Sequence, residues 1–219
     1  MKYSLTGFFG AMFLLSACGG GDAPEEAQLQ TLFAAEPETV LGLQNVASFA
    51  SIEDEEAQSR ALFGEMFKVI ESPRCMNCHP RGDMPTQGDD MHPHSPPVTR
   101  GPEGMGVAGM ECSTCHGDAN MAFVGAEGSI PGDSVWHLAP LSMGWVGLSA
   151  AEICEQIKDT ERNGGRDLEA IHEHHAEDHL VGWGWHPGEG RTPAPGTQEV
   201  FGELTAAWIA TGAHCPTGS

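Results

Sequence analysis

Between Pro73 and about residue 148 the chain shows no hydrophobic period, only Gly, Pro, Asp and His in irregular succession. A loop of that length inside a compact domain normally argues against its own assignment. A large bound group that organises the loop removes the conflict. The same stretch carries two copies of a motif suited to attach one, Cys75-Met76-Asn77-Cys78-His79 and Cys112-Ser113-Thr114-Cys115-His116.

C-x-x-C-H is the attachment pattern of c-type haem. Two thiols separated by two residues can add to the two vinyl groups on one edge of a porphyrin, and the next residue offers its imidazole to the iron as proximal ligand. The sequence therefore predicts two covalently bound haem c groups, attached through Cys75, Cys78, Cys112 and Cys115 and ligated by His79 and His116. A four-cysteine zinc site would use paired C-x-x-C without demanding a histidine after each second cysteine. A thioredoxin-like pair expects a βαβ setting, which the sequence lacks, and has no need of two copies.

Helical patterns flank the loop. Ser51-x-x-Asp54 opens a helix whose Leu62, Phe63, Met66, Phe67 and Ile70 share one face, and Ser72-Pro73 ends it. Ser149-x-x-Glu152 is a capping box, starting a helix through Ile153, Cys154 and Ile157 toward Asn163-Gly164-Gly165. A short helix is expected over 167–177, and a last one over about 198–211, with Val200, Phe201, Leu204 and Trp208 in one stripe before Gly212. A weaker helix is expected around Pro37 to Val46, inside an 18–50 tether, and no strand pattern is convincing. With 29 Gly and 15 Pro but no period, and nine Phe, five Trp and one Tyr, the core is thin. The expected fold is mainly α with long irregular loops: a small dihaem c-type cytochrome over 51–216, its short helices packed around two covalently bound haems.

The ligand on the far side of each iron separates an electron carrier from a site open to substrate. His94 and His174 are the first candidates, with His92 and His137 close behind. In His92-Pro93-His94 the proline stiffens a return toward either iron; His137 lies in an apolar Trp136-His137-Leu138 setting; His174 and His175 continue the helical face of Ala170 and Ile171, so one can point inward. His172 and His179 read as solvated members of an acidic helix. Arg100, Arg166 and Arg191 are candidates for pairing haem propionates, since a guanidinium binds a carboxylate through two contacts.

Cys154 and Cys215 remain, and a disulfide clamping the last helix to the one at 150 is the expected use. At the other end, Lys2 precedes an apolar run from Leu5 to Leu15, too short to span a bilayer. Its end, Leu15-Ser16-Ala17-Cys18-Gly19, resembles a bacterial lipobox. That resemblance implies a signal peptide over 1–17, cleavage before Cys18, lipidation of Cys18, and a periplasmic address on a lipid anchor, with the outer membrane preferred. Thirty-one acidic against ten basic residues, a net charge of −21, speak against nucleic acid as a partner.

Several strings are more distinctive than the motifs: SPRCMNCHPRGDMPTQGDDMHPH at 72–94, GMECSTCH at 109–116, WHLAP at 136–140, KDTERNGGRDL at 158–168, LVGWGWHPGEGRTPAPGT at 180–197 and GAHCP at 212–216. Together they resemble small exported dihaem cytochromes labelled as isoquinoline 1-oxidoreductase subunits. The resemblance implies a redox partner of the molybdenum hydroxylase type. An electron carrier, or an oxidoreductase subunit that is not a catalyst by itself, is the expectation. The alternatives are a small haem enzyme, a peroxidase or reductase with one open iron site, and a haem-based sensor.

Overall fold

Hydrophobic residues at helical spacing build the side of the molecule that holds its core. The computed structural model describes residues 25–218; the expected signal peptide and Cys18 lie outside the described residues. In chain order come α1 (Glu25–Ala34), a hairpin of β1 (Thr39–Val40) and β2 (Leu43–Gln44), the long α2 (Glu55–Ile70) and the single turn α3 (Pro73–Met76). Three further antiparallel pairs follow: β3 (Thr86–Gln87) with β4 (His92–Pro93), β5 (Gly106–Val107) with β6 (Met110–Glu111), and β7 (Ala119–Ala122) with β8 (Ser129–Asp133). The chain closes with α4 (Ala150–Lys158), α5 (Leu168–Ala176), the short α6 (His179–Gly182) and α7 (Gln198–Ala210).

Asp54 caps α2, accepting from the Ala57 N–H at 2.7 Å, so the helix starts on Asp54 and not on Ser51. Ser149 and Glu152 form the reciprocal capping box of α4. Leu62, Phe63, Met66 and Val69 of α2 are fully buried against Leu204 and Trp208 of α7, with the Phe63 and Trp208 rings 5.3 Å apart. Each such side chain contributes about 1.5–3 kcal/mol on leaving water. Where α5 crosses α7, a Cβ on Gly202 would lie 2.6 Å from the Ala176 Cβ, so glycine is what lets the two helices approach. Cys154 and Cys215 are joined by a disulfide that ties α4 to the segment after α7.

Two expectations are corrected. The fold is not mainly α with helices gathered around two haems. It is mixed: four two-stranded ladders accompany the helices among the described residues, and α2, α4, α5 and α7 pack on one another around side chains. The physical reason is that two-residue strands closed by left-handed turns, such as Gly88 at φ 77° and Gly109 at φ 82°, leave no alternating pattern to read. Likewise the expected helix around Pro37 to Val46 is the β1–β2 hairpin, and Leu43, Val46 and Phe49, within the stretch read as tether, are buried in the core. The hairpin is fastened to α2 by Glu65, which accepts from the Gln44 N–H at 2.8 Å and from Lys68 at 2.7 Å.

Among the described residues, the main core cluster has no buried member between Met76 and Met143; Leu138 is buried apart from it and Ala139 packs on its edge. That stretch holds both histidines of the motifs and three hairpins, and it is ordered by turns and glycines. A Cβ on Gly104, at φ 78°, would meet the Leu138 carbonyl oxygen at 2.5 Å, which fixes the approach of residue 138 to the turn before the second motif.

Candidate functional site

Each C-x-x-C-H segment is one helical turn. His79 N–H donates to the Cys75 carbonyl at 3.2 Å, and His116 N–H to the Cys112 carbonyl at 2.9 Å. Positions i, i+3 and i+4 of a turn share a face, so both thiols and the imidazole of each motif point to the same side. Each motif borders a cavity. The larger, about 460 Å³, is lined by Cys112, Cys115, His116, His94 and Trp136; the smaller, about 130 Å³, by Cys75, His79, His174, His175 and Trp145.

The imidazoles are held alike. His79 donates from Nδ1 to the Met143 carbonyl at 2.8 Å, and His116 from Nδ1 to the Pro131 carbonyl at 2.7 Å. Tryptophans lie flat against both rings, Trp145 on His79 at 3.4 Å and Trp136 on His116 at 4.8 Å. With Nδ1 committed as donor, the lone pair of each ring is on Nε2, the arrangement in which an imidazole ligates a metal while a carbonyl fixes its tautomer. Burial lowers the His79 pKa to about 3 and lowers that of His116, so both rings are neutral at physiological pH. Burial also raises the Cys75 thiol to about 12 and the Cys78 thiol to about 11.

His94 lies edge-on beside His116, with ring centroids 6.0 Å apart and ring planes at 61°. Its Nδ1 donates to the Pro96 carbonyl at 2.8 Å, again leaving Nε2 free. The smaller cavity has two such rings besides His79. His174 donates from Nδ1 to Asp178 at 3.0 Å, which holds the Asp178 carboxyl well below the usual range. His175 donates from Nδ1 to the Thr205 hydroxyl at 3.0 Å, whose own proton goes to the Phe201 carbonyl. Sequence spacing put both on one helical face; the structure shows that His175 is the buried one and His174 the half-buried one.

The remaining candidates fall differently. His92 borders the larger cavity, but both its ring nitrogens are engaged, Nδ1 with Asp90 at 2.6 Å and Nε2 with Gln87 at 3.0 Å. His137 borders both cavities, with Nδ1 donating to the Leu138 carbonyl at 3.0 Å. His179 is exposed and paired with Asp133 at 2.9 Å. Arg100 and Arg191 line the larger cavity and Arg166 the smaller. Sequence reading passed over Arg74, which is buried and lines both; its one signal was a basic residue beside the first motif in a chain with few bases.

The residues present fit a covalently attached porphyrin iron. Paired thiols and a neutral, oriented imidazole stand on one face of each turn, further imidazoles line each cavity, and the walls combine aromatic rings with arginines. The larger cavity falls within the range of about 300–1,000 Å³ usual for sizeable ligands, whereas the smaller is below it, so its walls must part on attachment. Among the described residues no group of three or more His, Cys, Asp or Glu is gathered to hold a bare metal ion, and a haem iron asks the protein for at most two ligands. Comparison with protein-family models, with curated proteins and with solved structures returns no match.

Proposed function

We propose that this chain is a membrane-tethered periplasmic dihaem c-type cytochrome carrying electrons between redox partners. The observation that carries the reading is the neighbouring pair His116 and His94, ring centroids 6.0 Å apart, each with Nδ1 tied to a carbonyl, in a cavity edged by Cys112 and Cys115. When bound, haem supplies a one-electron iron couple in each cavity. The chain's own residues do the rest. Cys75, Cys78, Cys112 and Cys115 would hold the groups covalently, His79 and His116 would bind iron through Nε2 with Nδ1 tied to a carbonyl, and Trp145 and Trp136 lie against the two histidine rings. An iron at the second motif that also took His94 would have no position left for substrate, which is the arrangement of a carrier.

The two cavities share Arg74, Cys78 and His137 as wall residues, so the two groups would be neighbours and electrons would pass between them over a short path. A molybdenum hydroxylase as electron donor is part of this proposal, on the strength of the sequence strings that carry the family resemblance. The net charge of −21 favours a basic docking face on a partner. Electron exchange with a basic redox protein is therefore expected to slow steeply as salt is raised, measured by stopped-flow absorbance. A rate independent of ionic strength would remove electrostatic docking.

The deciding test is a visible spectrum of the purified protein, oxidised and reduced, with and without carbon monoxide. The expected result is sharp low-spin bands that carbon monoxide leaves unmoved, and a His94→Gly variant in which one of the two haems now binds carbon monoxide and is restored by added imidazole. A wild-type protein that shifts with carbon monoxide would favour an open iron site and enzymatic use. One that carries no covalent haem would end the proposal.

A further inference from the structure

We infer that Arg74 is a positive charge shared by both cavities, which raises the reduction potentials of the two centres together. The inference rests on the dihaem reading above. Arg74 is the second residue of α3, immediately before Cys75, its side chain is 1% exposed, and it lines the larger and the smaller cavity alike. A guanidinium stays protonated in a protein, so the charge is permanent.

Its compensation is incomplete. Both hydrogen bonds leave from Nη2, to the Gly88 carbonyl at 3.1 Å and to Asp89 Oδ1 at 2.7 Å, while Nε is buried with no partner. Asp89 is the single carboxylate in contact, is 44% exposed, and also serves Thr192 through the hydroxyl at 2.6 Å and the N–H at 3.1 Å. Solvent therefore screens the carboxylate far more than the guanidinium. The guanidinium carbon also sits 5.9 Å from the centre of the Trp183 ring, an attraction that further fixes its place on the dividing wall.

A charge buried this way acts on any electron brought near it. Reduction adds negative charge to an iron centre, and a cation in a low-dielectric wall stabilises the reduced form. Because one wall serves both cavities, the effect applies to both centres, unlike that of Arg191, which lines only the larger. Arg74 is thus a tuning residue that touches neither attachment nor axial ligation.

The test is a spectroelectrochemical titration of the haem-loaded protein, with covalent haem counted by mass. Arg74→Gln is expected to keep both haems and shift both midpoint potentials to more negative values, with Arg74→Lys recovering part of the shift. Asp89→Asn is expected to shift both to more positive values, and it decides the matter if Arg74→Gln does not mature. Two haems at unchanged potentials in either decisive variant, or a shift confined to one haem, would overturn the role of Arg74. A wild-type chain without covalent haem would overturn the dihaem reading itself.

Discussion

Exchanging both thiols of the second motif, Cys112→Ser together with Cys115→Ser, removes one covalent haem and leaves the other in place. Intact mass falls by one haem, and absorbance per protein chain roughly halves, because each C-x-x-C-H attaches its own group. A serine hydroxyl does not replace a thiol in adding to a vinyl group. Far-ultraviolet circular dichroism should stay close to that of the wild type, since Leu62, Phe63, Leu204 and Trp208 belong to a core cluster that has no fully buried member between Met76 and Met143. Loss of both haems would mean that attachment at the first motif depends on the second, and loss of neither would mean that these thiols are not the attachment points.

Removing the disulfide has the largest expected effect on stability. Cys154 is fully buried in α4, and its bond to Cys215 encloses a separation of 61 residues. On the chain-entropy model such a cross-link contributes about 4 kcal/mol by restricting the unfolded chain. Cys154→Ala with Cys215→Ala should therefore lower the urea midpoint of the haem-loaded protein by an amount matching about 4 kcal/mol, with the slope of the transition changing as the unfolded state expands. A loss below about 1 kcal/mol would mean that packing of α4 against the core already holds this end of the chain without the bond.

Some of the architecture was legible in the sequence and much of it was not. The capping box at Ser149 and the stripe of α7 are local or periodic signals, the Cys154–Cys215 pairing followed from the two cysteines left outside the motifs, and the structure places each where expected. Three of the four hairpins were invisible because strands of two residues carry no alternation, and the longer β7–β8 pair is interrupted by a register shift and contains Pro131 and Gly132. Thr39-Val40 and Leu43-Gln44 look like any polar linker until Leu43 is seen under a cap of helices. Histidine roles divided along the same line. A pattern can say that His174 and His175 share a face with Ile171, but only tertiary partners, Asp178 for one and Thr205 for the other, separate them. His92 and His94 differ by two positions, yet the former spends both ring nitrogens on Asp90 and Gln87. Arg74 stayed hidden because burial of a cation is a property of the fold, not of its neighbours in sequence.

The contact from Arg74 through Asp89 to Thr192 spans three segments far apart in the chain. Asp89 lies in the turn of the β3–β4 hairpin, between the first motif and His94. The hydrophobic core reaches Met76 inside the first motif and stops there. One carboxylate therefore holds the turn of the first motif, the β3–β4 hairpin and the segment around Thr192 against one another, so the wall between the two cavities is a single joined piece and not three independent loops.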